Sequence, residues 1–285
     1  KHRITPLIVI AYLLFFMPYQ SWVVFLYTES AYFSLILILF SVLVLDTSNI
    51  LQRRDDVNKA AIIRTLLLTG LVVLLVIISR PLGILFAGSV YMYVLYCASK
   101  RWKIILGICS ALMLLLGYFV INAVFSSIHD WTITQAFEQE SIICDMPVES
   151  RYPKPILATD GTPVYHLWFY LTHNFSHFLH FAGVKLKYFF MMTRPYYSNG
   201  HNLFLLVNLI PVYLLGSVGL FLRQIKFAKG ICFFMLTSIL LYALTIMFQC
   251  DDYHNRFVLS IFPFFVILAA VTVEYFVLRL FKHHK

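Results

Sequence analysis

Two arginines stand where long apolar runs meet short polar connections. Arg80 directly follows one apolar run and precedes Pro81, and Arg256 leads directly into another apolar run. A guanidinium group can direct two parallel N–H donors at one phosphate or carboxylate, which the ammonium group of lysine cannot match. Arg80 and Arg256 are therefore candidates for binding an anionic group. The alternative for Arg80 is that its side chain only anchors a helix end at the lipid surface. The alternative for Arg256 is that it belongs to a charged loop exposed to solvent between two helices.

Acidic side chains in the same kind of connection are candidates for proton transfer. Glu29 begins an apolar run, and Asp251, Asp252 and His254 come just before the second arginine. A carboxylate close to a reacting hydroxyl group can accept its proton. We predict Glu29 and Asp251 as catalytic candidates, with Asp252 and His254 in a binding role. Glu29 can instead pair with Arg80 or complement the dipole of the helix that it begins.

A third polar segment, residues 194–202, precedes the sixth long apolar run. It brings the cation Arg194 and the hydroxyl of Tyr197 to the start of that run, together with two asparagines. These groups suit a lipid phosphate or a sugar, and we predict a binding role for both residues. The alternative is a turn that caps the following helix.

Four histidines follow each other at intervals of seven, four and three residues, which predicts one stripe along a helix. They are His166, His173, His177 and His180. Two histidines four residues apart on a helix can bind zinc. Histidines among aromatic residues also form the polar edge of a helix at a membrane interface, and we predict no metal site here. A divalent cation could still be bound together with a phosphate by the acidic residues before Arg256.

The composition requires a membrane environment. Of the 285 residues, 61% are hydrophobic and 12% are charged, whereas soluble domains carry about 25% charged residues. Apolar runs long enough for a helix of about 20 residues to cross the hydrocarbon core recur along the chain. The sequence predicts an all-α, polytopic transmembrane helical bundle. Its eight predicted spans are 5–26, 31–47, 62–79, 82–99, 104–125, 203–222, 231–248 and 257–279.

The basic residues predict how the chain is threaded. They form short clusters between apolar runs, which is typical of cytoplasmic loops and argues against a nucleic-acid surface despite the net charge of +9. Alternation of the spans then leaves Arg80 and Arg256 on the outer side. We predict five spans in residues 1–125, a long extracytoplasmic loop in 126–201 and three spans in 202–285. Within that loop, residues 165–192 are expected to form one or two interfacial helices. The alternative for this segment is a reentrant hairpin.

Two of the five cysteines, Cys144 and Cys250, lie in polar connections on the predicted outer side. In an oxidising compartment these two thiols could form a disulfide bond. Two unpaired thiols are an equally valid interpretation of the sequence. The cysteines show no closely spaced pair of the kind that binds zinc.

Three short motifs carry a resemblance to a known family. The chain contains Tyr27-Thr28-Glu29-Ser30 before one apolar run and Ser79-Arg80-Pro81-Leu82-Gly83 between two others. It also contains Asp252-Tyr253-His254-Asn255-Arg256, which leads into an apolar run that includes Pro263. These motifs and their order resemble membrane glycosyltransferases of the GT-C class, family 39-like enzymes that depend on polyprenyl-phosphate sugars. The resemblance covers most of the chain.

The resemblance implies transfer of a sugar from a polyprenyl-phosphate carrier to an acceptor at the outer face, with inversion at the anomeric carbon. It also implies that Arg80 and Arg256 hold the carrier phosphate and stabilise its departing charge. Family members carry a catalytic acidic residue in their first outer loop, whereas the Glu29 region resembles a later point of that fold. We therefore expect an N-terminal segment outside this sequence, or a partner chain, to supply that residue.

Two other functions fit the same features. A transporter or lipid flippase would also bind anionic lipids, but such proteins usually contain internal repeats and charges at mid-membrane depth. A noncatalytic membrane subunit would explain the missing acidic loop. The compact loops favour a bacterial inner membrane, with membrane lipids as the surrounding partner.

Overall fold

The computed structural model describes residues 4–24, 28–52, 59–127, 132–144, 146, 154–221, 229–251 and 255–283. In these residues the regular structure is helical, and the only bridges of the β type are two isolated ones at Ile143. The helices are α1 Thr5–Phe15, α2 Met17–Val24, α3 Thr28–Gln52, α4 Lys59–Ser79, α5 Gly83–Cys97, α6 Lys100–Ser127, α7 Gln135–Glu138, α8 Pro163–His173, α9 Phe175–Met191, α10 Asn199–Phe221, α11 Lys229–Phe248 and α12 Arg256–His283.

Helices occupy all eight predicted apolar segments, so the all-helical class is confirmed. Four of these helices are long and apolar enough to cross a membrane, which indicates an integral membrane protein. They are Lys100–Ser127, Asn199–Phe221, Gly230–Phe248 and Arg256–Leu280. Four other apolar helical stretches are shorter, namely Thr5–Phe15, Glu29–Leu45, Ile63–Ser79 and Gly83–Cys97.

The first predicted span, residues 5–26, is not one continuous helix. The chain leaves helical geometry at Phe16, where ψ is 99°, and resumes at Met17. Pro18 explains this break, because proline has no N–H to donate and its ring collides with the preceding turn of a helix. Proline is tolerated in the first turn of a helix, which is the position that Pro18 takes in α2.

The chain divides into two compact units, and the first comprises Lys1–Tyr96, Thr193–Tyr242 and Arg256–Lys285. Its central element is α12, which packs against α10 and α1 and is buried along most of its length. A helix that is apolar on all sides is expected in such a central position. In the same unit α3 packs against α4.

A buried carboxylate joins α12 to the start of the chain's first helix. Glu274 accepts hydrogen bonds from the hydroxyl of Thr5 and, at 3.0 Å, from its backbone N–H. This carboxylate satisfies a donor at the N-terminus of α1, where negative charge is favoured. Arg256, at the other end of α12, lies about 27 Å away along the helix, close to the thickness of a hydrocarbon core of about 30 Å.

The second unit comprises Cys97–Met192 and Ala243–Asn255. Its longest helix, α6, buries none of its residues and contacts α8, as expected for a helix surrounded by lipid. Residues 165–192 form two helices, one of the two predicted outcomes. Their core contains the aromatic residues Phe137, Tyr170 and Phe178 with Ala182.

Gly83 closes the turn between α4 and α5, where there is no room for a side chain. A Cβ atom at this position would lie 2.3 Å from the carbonyl oxygen of Val76, which is backbone and cannot move aside. We expect Gly83→Ala to lower the melting temperature in lipid nanodiscs by about 5 °C, because overpacking a closed turn costs about 1–3 kcal/mol.

Gly107→Ala is the matched control, because no atom lies within 4 Å of a Cβ at that exposed helical position. Alanine has the higher helix propensity, so this variant should melt at the same or a slightly higher temperature. Equal melting temperatures for the two variants would contradict a sterically closed turn.

Candidate functional site

Glu29 brings the two predicted arginines together in the first unit. Its Oε1 atom forms an ion pair with Nη2 of Arg80 and accepts a hydrogen bond of 3.1 Å from Nη1 of Arg256. The sequence offered pairing with Arg80 as one alternative for Glu29, and this pairing is confirmed. The second guanidinium on the same oxygen is a new finding. We call Glu29, Arg80 and Arg256 the arginine–glutamate triad.

Within the triad the carboxylate is buried, whereas the two guanidinium groups are partly exposed. The side chain of Glu29 is 3% exposed, that of Arg80 is 18% exposed and that of Arg256 is 33% exposed. A buried carboxylate is tolerated only when it is paired, and each guanidinium carries five N–H donors. The two guanidinium groups are therefore the more exposed members of the triad.

A tight turn after α4 sets the position of Arg80. The carbonyl of Val76 accepts hydrogen bonds from the N–H of Arg80 at 3.3 Å and from the hydroxyl of Ser79 at 2.9 Å. The N–H of Gly83 then donates to the carbonyl of Arg80 at 2.8 Å. Pro81 cannot continue the helix, and only glycine fits against Val76 at the last position. The motif from Ser79 to Gly83 is thus a turn that fixes one arginine.

Glu29 and Arg256 both lie in the first turn of a helix. The dipole of α3 favours the carboxylate of Glu29 at that position, whereas the dipole of α12 disfavours the guanidinium of Arg256. The ion pair with Glu29 offsets this unfavourable placement. Arg256 therefore lies where the helix dipole disfavours a positive charge. Such violations of a local preference are frequent at functional sites.

A chain of buried hydroxyl groups lies one helical turn from the triad. Tyr32, three residues after Glu29, forms a hydrogen bond of 2.6 Å with Tyr242, and Tyr242 is hydrogen-bonded to Ser260. The Ser260 hydroxyl donates to the carbonyl of Arg256 at 3.0 Å. These contacts join α3, α11 and α12. They hold the helix turns that carry Glu29 and Arg256. These contacts could not be predicted from the sequence, because tyrosines in apolar runs carry no positional signal.

Asp251, the second catalytic candidate, belongs to the other unit and is buried. Its N–H donates to the carbonyl of Ile142 at 2.8 Å, and its carbonyl accepts from the N–H of Cys144 at 2.9 Å. Next to it, Cys250 forms a disulfide bond with Cys144, which confirms the pairing that the sequence left open. Asp251 thus lies in a cross-linked backbone segment. Two binding candidates, Asp252 and His254, lie outside the described residues.

Asn255 makes a further contact within this second unit. Its side-chain amide donates to the carbonyl of Met192 at 3.1 Å. Both residues have positive φ angles, 62° for Asn255 and 57° for Met192. Asparagine tolerates this left-handed region better than most residues, which explains its use at this turn.

The segment that contains Arg194 and Tyr197 forms the turn before α10. The N–H of Arg194 donates to the side chain of Asn202 at 3.0 Å, and the amide of Asn202 donates back to the carbonyl of Arg194 at 3.0 Å. Arg194 is buried, and the ring of Tyr197 packs on His201. This geometry matches the turn alternative. A binding role for Arg194 and Tyr197 stays a prediction.

The four histidines do not share one helical stripe, because α8 ends at His173 and α9 begins at Phe175. Asn174 causes this break, since its side chain exchanges two hydrogen bonds with the backbone of Ile156 and so competes with helix continuation. Within the described ranges, no group of three or more His, Cys, Asp or Glu residues could hold a metal ion.

His177 has a structural partner on each ring nitrogen. The hydroxyl of Tyr170 lies 2.7 Å from Nδ1, and Glu140 lies 3.2 Å from Nε2. Burial and, secondarily, the charge of Glu140 raise the pKa of Tyr170, so this phenol stays protonated. The three residues fasten the α7 segment to the helices α8 and α9.

The second unit contains a buried lysine that was not predicted from the sequence. The Nζ atom of Lys185 lies 4.8 Å from the centre of the Phe137 ring and has no hydrogen-bond partner among the described residues. Burial lowers the pKa of Lys185 to about 8. Its spacing of four and eight residues from Phe181 and His177 places it on the buried face of α9, which helical periodicity could have revealed.

Comparisons with protein families, with characterised protein sequences and with solved structures found no match.

Lys185 gives the second unit a predictable pH dependence. Below about pH 8 the lysine is protonated in both the folded and the unfolded chain, and folding carries the full cost of burying the charge. Between pH 8 and its ordinary value of 10.5 only the unfolded chain binds the proton, so stability rises with pH, in total by on the order of 3 kcal/mol. We expect Lys185→Met to melt several degrees above the wild type at pH 7.5 and to lose that advantage by pH 10.

The matched control is Lys187→Met, because Lys187 is exposed two residues further along the same helix. It should follow the wild-type melting temperature across the whole pH range, measured by intrinsic fluorescence in nanodiscs. Parallel curves for the wild type and Lys185→Met would contradict a protonated lysine buried without compensation.

Proposed function

We propose that this chain is a membrane glycosyltransferase that takes a sugar from a polyprenyl-phosphate carrier and transfers it to an acceptor on the extracytoplasmic face. The observation that carries the proposal is the arginine–glutamate triad. Two guanidinium groups from distant parts of the chain meet at one carboxylate oxygen, and their open side suits a phosphate group. The motifs that resemble GT-C enzymes supply these same residues.

We propose eight crossings of the membrane, with residues 126–201 on the extracytoplasmic side. The contacts at the two ends of α12 support this threading in the first unit. Thr5 contacts Glu274 near one end, and Glu29 contacts Arg256 at the other, so the chain from Thr5 to Glu29 runs the length of the core. Arg80, which follows the end of α4, contacts Glu29 at the start of α3, so α3 and α4 form an antiparallel pair.

In the proposed reaction, Arg80 and Arg256 hold the carrier phosphate and stabilise the negative charge that grows on it as the sugar leaves. Glu29 has the role of positioning both guanidinium groups, because its Oε1 atom is already directed at them. A base outside the triad would accept the acceptor's proton. A bacterial inner membrane is the proposed location.

A direct test is sugar transfer in lipid. The complete protein, incubated with a radiolabelled polyprenyl-phosphate sugar, should release carrier phosphate and label an acceptor. We expect Arg80→Ala to weaken carrier binding at least about tenfold, because a charge-assisted hydrogen bond contributes about 1.5–3 kcal/mol.

Lys100→Ala is the charge-matched control, since it removes an exposed cation at the start of α6. It should leave carrier binding unchanged. Equal losses in the two variants would contradict a specific phosphate site at Arg80. Movement of lipid or solute without any sugar transfer would favour a flippase or transporter instead, and carrier binding without turnover would favour a noncatalytic subunit.

A further inference from the structure

The helix α8 carries large aromatic side chains on the side that faces away from its buried core. Tyr165 is 48% exposed and Trp168 is 65% exposed, and a spacing of three residues places them on one side of the helix. Another side of α8 packs inward, because Tyr170 is buried and stacks on Phe137. Single exposed apolar side chains are common in proteins, whereas a group of them marks an interaction surface.

Two further apolar side chains are exposed at the C-terminal end of α8. The side chain of Asn174 accepts a hydrogen bond of 2.8 Å from the N–H of Ile156 and donates one of 2.7 Å to the carbonyl of the same residue. Ile156 is thereby fixed beside the junction of α8 and α9, where Phe175 begins the second helix. Both apolar side chains are exposed there. We call Ile156, Tyr165, Trp168 and Phe175 the α8 surface.

The contact between α8 and α6 gives the depth at which this surface lies. The N–H of Val164, in the first turn of α8, donates to the side chain of Asn122 on α6 at 3.0 Å. The apolar part of α6 begins at Ile104, and from there to Asn122 the helix rises about 27 Å at about 1.5 Å per residue. The hydrocarbon core of a bilayer is about 30 Å thick. The hydrocarbon core that α6 can cross therefore ends close to the start of α8.

The surroundings of α8 favour lipid as the partner of this surface. Its neighbour α6 is long and apolar enough to cross a membrane and buries none of its residues, so lipid is available to cover its sides. Tryptophan and tyrosine favour the boundary between hydrocarbon and headgroups, because their rings are apolar and carry one polar group. The exposed residues of α9 include Ser176, His180 and Lys187, which suit the adjoining headgroup layer.

We propose that the α8 surface binds bilayer lipid at the boundary between hydrocarbon and headgroups, on the side of the membrane that the C-terminal end of α6 reaches. The helix α8 then lies along the membrane instead of crossing it. The second unit thereby has two separate contacts with lipid, one along α6 and one at the α8 surface. This lipid contact does not depend on sugar transfer, because the hydrogen bonds and exposed side chains that support it all lie within the second unit.

The experiment measures the depth of Trp168 in nanodiscs by fluorescence quenching with lipids that carry bromine either near the headgroup or near the end of the acyl chain. The emission lost in Trp168→Phe, a conservative change at an exposed position, is the signal of this tryptophan. We expect quenching mainly by bromine near the headgroup, at a depth of about 5–10 Å into the boundary.

Trp102→Phe supplies the reference for a tryptophan at the lipid boundary, because Trp102 is exposed among basic residues at the other end of α6. The two tryptophans should give similar depths. Tyr165→Trp, introduced into Trp168→Phe, should restore quenching at that depth, because both side chains lie on the same side of α8.

No quenching of Trp168 by either lipid would overturn the proposed lipid contact. In that case, a disulfide between two copies of Tyr165→Cys would assign the surface to a second copy of the chain. Quenching mainly by bromine near the end of the acyl chain would also overturn the proposed contact, because α8 would then enter the hydrocarbon core as part of a reentrant hairpin.

Discussion

A single carboxylate oxygen, Oε1 of Glu29, holds two guanidinium groups that are far apart in the sequence. Without that carboxylate, Arg80 and Arg256 would repel each other in a place that water reaches poorly, and Arg256 would also oppose the dipole of its own helix. The positions of the start of α3, the turn after α4 and the start of α12 therefore depend on this interaction. The same contact brings two guanidinium groups to one point, on which the proposed function rests.

Apolar packing alone would leave these helices free to slide, because lipid and neighbouring helices offer similar apolar surroundings. Polar contacts at particular depths fix them instead. The triad and the hydroxyl chain from Tyr32 to Arg256 hold one end of α12, and the pair of Thr5 and Glu274 holds the other. In the second unit, the disulfide and the contacts of Asp251 and Asn255 join separate segments of the chain.

The helices could be predicted because a membrane helix needs a long apolar run and little else. The meeting of Glu29 with Arg80 was one of two alternatives, and the second arginine on the same oxygen was not foreseen, because pairing across such distances depends on how the helices pack. The break at Phe16 was missed although Pro18 marks it in the sequence. Two helices in residues 165–192 were one of the expectations, but the position of the break at Asn174 was not predicted, because the bonds from Asn174 to Ile156 exist only in the folded chain. The identity of the carrier and the acceptor and the dependence on a metal could not be predicted, because the pattern of apolar residues in a helix does not encode which ligand is bound.

The central claim is that Glu29 holds Arg80 and Arg256 at one point, and the most direct measurement is the melting temperature of a stepwise neutralisation in nanodiscs. Glu29→Gln alone should be strongly destabilising, since removing one partner of a buried pair costs about 3–5 kcal/mol. Adding Arg80→Gln and Arg256→Gln should restore most of the lost stability, because the uncompensated cations are then gone. Adding Lys100→Gln to Glu29→Gln should restore nothing. A triple variant that is destabilised by the sum of its three separate effects would contradict the triad.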